Sequence, residues 1–375
     1  MYKLDKIKLY SSLFILLFIN FIFLVKYLYR STTLYLTISI TITLLCFLLF
    51  YKRSFLKSAI SFFPKINSLL LFTFCVISVF IFYKIPVATL KVDRWSVITS
   101  FWDNYFNNKF VYNARSNMGN PPGPMPFYFI LALPFYFIGE LGYFSLLGIV
   151  CFYFFIKKVI IVKEQILLAL LLTLSSGYYL WEVACRSNVF LNATLVLIVL
   201  YLFLKIEHFS IKTMTIIGIL IGLVLSTRNV FIIPFIIGFI YSLKFKKITI
   251  KQTIYLGLIT LSTFIITFMP FVWGHFEDFK ISNPFIIQSS FLIPFRYTLL
   301  FISFSFFAGY FSKTKNDVYF FSALTLFISI CFYILYWIIE TSLQKTIFES
   351  GSDISYFILC VPFCLFSLIQ IESEE

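Results

Sequence analysis

Lys84–Pro126 reads KIPVATLKVDRWSVITSFWDNYFNNKFVYNARSNMGNPPGPMP, and it is the only long stretch of the chain that does not read as hydrocarbon-spanning helix. It holds two acids, Asp93 and Asp103, the aromatic side chains Trp95, Trp102 and Tyr105, and a Pro/Gly cluster at its C-terminal end. On both sides of it, apolar runs of about 14 to 21 residues recur along the whole sequence. A polar loop with two acids at the mouth of a helical bundle is where chemistry is expected.

Composition points the same way. Of 375 residues, 61% are hydrophobic and 12% charged, against about 25% charged in an average soluble domain. The expected fold is all-α: a polytopic transmembrane bundle forming a single integral-membrane domain over 1–375, with a large first outer loop at 84–126. Candidate spans are 9–25, 34–51, 67–83, 141–156, 165–180, 189–204, 213–226, 230–243, 252–272, 297–311, 318–338 and 354–370, about 12 crossings. None of these segments contains Asp, Glu, Lys, Arg or His. The first run follows Lys3, Lys6 and Lys8, precedes Lys26 and Arg30, and lacks a small-residue cleavage site, so a retained helix is expected. The seven Cys are scattered, most of them in apolar runs, and form neither a metal spacing nor a disulfide framework. The net charge of +14 fits basic loops kept on the cytoplasmic side. A nucleic-acid partner is excluded, because no basic patch belongs to a folded soluble domain.

Lysine and arginine set the orientation. With the N-terminus inside, the cytoplasmic segments carry Lys52, Arg53, Lys57 and Lys65, then Lys157, Lys158 and Lys163, then Lys205 and Lys212, then Lys244, Lys246, Lys247 and Lys251, and last Lys313 and Lys315. Parity tests this scheme at Pro126–Ile156, where two apolar halves meet at Gly139–Glu140. Two crossings there would move every later lysine cluster outside. One crossing is therefore expected, and 126–139 becomes a re-entrant or interfacial helix bounded by prolines. The outer face then collects 84–126, Glu140, the turns 181–188 and 227–229, the loop 273–294, and 339–353. The implied location is a bacterial inner (plasma) membrane with the 84–126 loop outside, in contact with membrane lipids.

Several constellations suit chemistry. Asp93 and Asp103 lie ten residues apart, close enough to frame a pocket, and an outer Asp near a membrane exit can act as general base toward a hydroxyl. The bland alternative is a solvated acid or a partner for Arg94. Glu182 and Arg186 are four apart and can pair on a helix end. Arg186, Arg228 and Arg296 on one face suit a lipid phosphate through their planar forks, with headgroup anchoring as the plain alternative. His275, Glu277 and Asp278 cluster in the late loop, too loosely for a defined metal site. A divalent cation, Mg or Mn, held with Asp93 stays open. Asn283 and Gln288 are neutral polar groups suited to a sugar or to helix capping.

These features together resemble the GT-C superfamily of integral-membrane glycosyltransferases that use polyprenyl-phosphate sugars. The resemblance rests on Asp93 in KVDRWSVI, on NPPGPMPFYFILALPFYFIGE (120–140), on SSGYYLWEVACRSNVFLNATL (175–195) and on GLVLSTRNVFIIP (222–234), and it covers about residues 67–295. Members carry a Pro-Pro element before a helix ending in Phe-Gly, then a span closing in basic residues. Pro121-Pro122, Ile138-Gly139 and Lys157-Lys158 take those places. The resemblance implies transfer of a hexose, in the manner of a mannosyltransferase, from a lipid-phosphate sugar donor to a glycan or lipid acceptor in the cell envelope, with inversion. It implies Asp93 as base, with the donor phosphate falling to Arg186 or Arg228. Many members have a tight pair of acids where this chain has Asp93-Arg94 and a more distant Asp103. Two other readings stand beside it. A lipid-linked oligosaccharide flippase fits the number of spans, though ion-coupled transporters usually carry ionisable groups in them. A polysaccharide polymerase predicts a larger late loop.

Overall fold

The computed structural model describes residues 2–29, 31–291, 294–349 and 352–373. These residues form helices and turns, with no strand among them. In chain order the helices are α1 (Tyr2–Leu28), α2 (Tyr35–Tyr51), α3 (Phe55–Phe62), α4 (Ile66–Lys84), α5 (Arg94–Phe106), α6 (Pro126–Ile138), α7 (Gly142–Val159), α8 (Lys163–Leu174) and α9 (Gly177–Ala184). There follow α10 (Val189–Lys205), α11 (Ile211–Leu225), α12 (Ile232–Lys244), α13 (Ile250–Val272), α14 (Phe276–Ile281), α15 (Pro284–Phe291), α16 (Phe295–Phe311), α17 (Lys315–Glu340) and α18 (Val361–Ser373).

Every apolar run is helical, but not every run is long enough to cross. Six helices have the length and apolarity of a span, and up to eight if each of two bent pairs counts as one. A set of shorter apolar helices, including Pro126–Ile138, Val189–Lys205 and Ile211–Leu225, has 10–17 residues each. At 1.5 Å per residue they fall short of the roughly 30 Å hydrocarbon core. Length and composition therefore give six to eight spans where the apolar runs alone suggest about twelve.

The bent pairs are α2 with α3 (77°) and α8 with α9 (63°). The second break falls at Ser175-Ser176-Gly177. Ser176 caps α9 by accepting from Tyr179 N, and Asn20 of α1 accepts from Gly177 N at 2.7 Å. These bonds meet backbone groups that hydrocarbon would leave unanswered. Gly177 is needed for the close approach of α1, because a Cβ there would lie 2.8 Å from the Leu24 side chain. The break also changes the inventory of ionisable groups. The bent pair α8–α9 includes Glu182, which is fully buried.

Hydropathy alone does not say which helix is central. The Ile354–Ile371 stretch is 89% buried inside the protein, whereas Ile66–Lys84 and Ile250–Val272 are each 22% buried at similar hydropathy. The C-terminal helix is thus the core, packed on α1, α8, α10 and α17, and α4 and α13 form the perimeter. A helix apolar all round is expected in either place. Gly218 and Gly222 of α11 let α13 approach closely. A Cβ on Gly222 would sit 2.6 Å from Thr260 O and 2.7 Å from Thr263 Cβ, the small-residue contact common between membrane helices.

Side-chain bonds sort the loops into two ends of the bundle. At the lysine-rich end, Lys8 Nζ meets Asp317 Oδ1 at 2.5 Å, Asn67 donates to Lys163 O, and Lys244 Nζ donates to Tyr310 O at 2.6 Å. At the Asp93 end, Arg94 pairs with Asp353, Arg186 with Glu140, and Met125 N bonds Thr227 O. Helix α6 is bonded at its start to Ser226, and Glu140, just past its end, to Arg186. Both contacts lie at the Asp93 end. There α5 and α6 share a second hydrophobic cluster, with Phe101 and Phe129 stacked at 3.7 Å and Trp102 Nε1 donating to Phe129 O.

Candidate active site

Asp93 occupies the N-cap position of α5, yet its carboxylate makes no bond to that helix. It accepts from Asn120 Nδ2 at 2.7 Å. Asn120 is presented by a tight turn: Ser116 N bonds Asn120 O, Asn120 N bonds Ser116 Oγ, and Gly119 supplies the left-handed residue at φ +78°. Ser96 and Asn117 tie the same turn to the first turn of α5 at 2.7 Å. The proline run then leads away from Asp93. Gly123 O accepts from Gln288 Nε2 at 2.6 Å, Phe127 N bonds Ser226 O at 2.9 Å, and Met125 N bonds Thr227 O at 3.2 Å. Proline suits this path, since it fixes an extended chain and removes donors that would go unmet. One rigid segment thus carries the chain from Asp93 to the residue before Arg228.

Two guanidiniums face the same pair of tyrosines. Arg94 binds Asp353 and donates to Ser355 Oγ at 2.8 Å. Burial works against its charge, but Asp93, Tyr356, Tyr128 and Tyr27 outweigh that and hold its pKa above the ordinary value. Arg228 lies over the rings of Tyr128 at 5.8 Å and Tyr356 at 5.5 Å, a favourable cation–π setting. It is 8% exposed, its Nε has no hydrogen-bond partner, and no carboxylate of the described residues pairs with it.

Other polar groups lie near Arg228. Glu182, in the field of Arg94 and Arg228, spends Oε1 on Phe190 N at 2.8 Å, which caps the start of α10. Its Oε2, Ser187 Oγ and Asn188 Nδ2 make no hydrogen bond of good geometry, but Ser187 lies close enough to bond Glu182 and Asn188 to bond the Tyr128 hydroxyl, so these groups can answer one another. Arg228 Nε is a buried donor that stands without a partner, where buried polar atoms are normally satisfied.

The other sequence candidates lie elsewhere. Arg186 is fully buried and heavily bonded: Nε donates to Glu140 Oε1 at 3.1 Å, and its terminal nitrogens donate to Ala184 O, Phe82 O, Ile85 O and Glu140 Oε2. It occupies the left-handed position after α9 at φ +55°. Arg186 N bonds Val183 O and Ser187 N bonds Glu182 O, a helix-ending turn that usually carries Gly. Its partner is thus Glu140 and not Glu182, and only one N–H of Nη1 is left uncommitted. Asp103, about 15 Å along α5 from Asp93, is exposed and accepts from Tyr136 Oη at 2.7 Å, so the two acids do not frame one pocket. His275 pairs with Asp278 at 3.2 Å and Glu277 with Lys280 at 2.6 Å. Among the described residues no group of three His, Cys, Asp or Glu is placed to hold a metal ion. Asn283 caps α15, accepting from Phe285 N and Ile286 N. Gln288 braces the proline run, with Oε1 unpartnered. The Arg296 side chain lies outside the described residues.

Sequence reasoning missed Arg94, Asn120, Asn188, Tyr128 and Tyr356 as parts of this site. One usable signal was Arg94 itself, a cation directly after the chosen acid in a chain so poor in charge. No protein-family model, curated protein or solved structure matches this chain.

Proposed function

We propose that this chain is an integral-membrane glycosyltransferase that moves a hexose from a lipid-phosphate sugar to a glycan or lipid acceptor, with inversion and with Asp93 as base. The observation that carries the reading is the guanidinium of Arg228, buried against Tyr128 and Tyr356 with Nε unanswered and joined by the 120–127 segment to a carboxylate held by Asn120. In the proposed step, Asp93 takes the proton of an acceptor hydroxyl. The hydroxyl oxygen bonds to the anomeric carbon as that carbon's bond to the phosphate oxygen breaks. The lipid phosphate leaves with the electron pair, and Arg228, backed by Arg94, stabilises the charge that develops. Asn120 holds the carboxylate through Oδ2 and leaves Oδ1 for the acceptor. The lysine-rich end faces the cytoplasm in this reading, and Asp93 faces out.

A flippase is the second reading, because the fully buried Glu182 sits on a broken helix pair, an arrangement transporters use near the midplane. Membranes holding the full chain, supplied with a radiolabelled polyprenyl-phosphate hexose, separate the two. The transferase reading expects covalent transfer of label to an acceptor, falling at least about 100-fold in Asp93→Asn. Transfer retained in Asp93→Asn removes the base assignment. Label crossing sealed vesicles without covalent transfer overturns the enzyme in favour of the flippase.

A further inference from the structure

The opposite end of the bundle carries a second charged neighbourhood that the transfer chemistry does not use. Helix α12 ends in a turn in which Lys246 takes the left-handed conformation at φ +54°, with Lys246 N bonded to Leu243 O and Lys247 N to Ser242 O. That turn holds the Lys247 ammonium over the Tyr241 ring, 5.0 Å from its centre. Lys315, at the start of α17, lies close enough that burial first and then its charge push the Lys247 pKa below the ordinary value. Lys244 crosses to the end of α16, donating to Tyr310 O and to Ser312 O at 3.1 Å. Lys313 lies in the same α16–α17 turn.

Lys244, Lys247 and Lys315 therefore come together where α12 and α16 end and α17 begins, with Lys313 in the intervening turn, and the acid beside them is already spent. Asp317 gives Oδ1 to Lys8 and Oδ2 to the backbone N–H groups of Lys313 and Thr314 at 2.8 and 3.1 Å. Glu207 reaches Lys247 only through its field, and no carboxylate of the described residues pairs with Lys244, Lys247, Lys313 or Lys315. Like charges brought together without a counter-ion leave room for an anion. The surroundings say which kind. Phe307, Tyr310 and Phe311 of α16 are more than half exposed beside the cluster, as aromatic side chains are where a helix leaves the bilayer.

We infer that Lys247 and Lys315, flanked by Lys244 and Lys313, form a binding site for the phosphate of an anionic phospholipid headgroup in the leaflet at the lysine-rich end. This site is independent of the transferase reading. Basic pockets between membrane helices bind such headgroups at about 1 kcal/mol per cation near the surface.

The full chain in neutral detergent, titrated with phosphatidylglycerol and with phosphatidylcholine and read by native mass spectrometry and thermal melting, tests the inference. Phosphatidylglycerol is expected to bind and raise the melting temperature, and phosphatidylcholine is not. The double variant Lys247→Gln/Lys315→Gln is expected to lose roughly 30-fold in phosphatidylglycerol affinity, with its melting temperature in phosphatidylcholine unchanged. Lys57→Gln/Lys158→Gln removes the same charge from the same end away from the cluster and is expected to keep the affinity. Equal binding of the two lipids, affinity retained by the first variant, or equal loss in the second overturns the site. A shift reproduced by millimolar inorganic phosphate alone overturns the lipid as occupant.

Discussion

Arg186 and Arg228 lie at the same end of the bundle, each in a short connection between apolar helices and each more than nine-tenths buried. The Arg186 guanidinium meets Glu140 and three backbone carbonyls, and it locks the ends of α4 and α9 to the residue after α6. The Arg228 guanidinium meets two aromatic faces and leaves Nε orphaned. The difference teaches that burial of a cation in a membrane bundle has two physical meanings. One is a clamp whose desolvation is offset within the protein, and the other is a cation met by aromatic faces with a donor left over, the property on which the proposed anion binding rests.

The contrast can be broken or sharpened by substitution. The largest effect is expected at the acid proposed as base: Asp93→Asn is expected to cut sugar transfer by at least about 100-fold, with no loss of folded protein by size-exclusion chromatography. Next comes the clamp. Arg186→Gln strips Glu140 of its charged partner and leaves the buried Phe82 carbonyl and the part-buried carbonyls of Ala184 and Ile85 without that donor, so a loss of about 3–5 kcal/mol in stability is expected from denaturant melts. A stable Arg186→Gln protein that has lost only donor binding would reverse the roles assigned here. Asn120→Ala removes one charged hydrogen bond from Asp93 and is expected to lower transfer about tenfold at unchanged stability. Asp103→Asn is expected to do least. Its bond to Tyr136 is exposed, so activity within about twofold and stability within about 0.5 kcal/mol are anticipated.

Much of the fold was legible because hydrocarbon length is a local property. Each apolar run became a helix, and the polar 84–126 stretch became the separate layer of α5 and the proline run. Length and composition give six to eight spans where the apolar runs suggest about twelve, because α10 and α11 are apolar but only 17 and 15 residues long. The break at Ser175–Gly177 escaped notice because Asn20, far back in α1, answers its backbone. Equal hydropathy hid the fact that α18 is core and α4 perimeter. In the candidate site, the partners of the charged groups were not legible from position: Asp353 lies 259 residues from Arg94, and Glu140 lies 46 residues from Arg186. Which arginine was clamped and which was open depended on those distant partners. A four-residue spacing suggested Glu182 for Arg186, and the left-handed turn at Arg186 turned it toward Glu140 instead.

The most direct test of the open site is equilibrium binding of a short-chain polyprenyl phosphate to the purified full chain and to Arg228→Gln. The account predicts saturable binding that weakens at least about tenfold in the variant, the loss of one charge-assisted contact, with the same melting temperature as the parent. Equal affinity in the two proteins would contradict it, and would leave Arg228 as a packing residue in a bundle whose chemistry lies elsewhere.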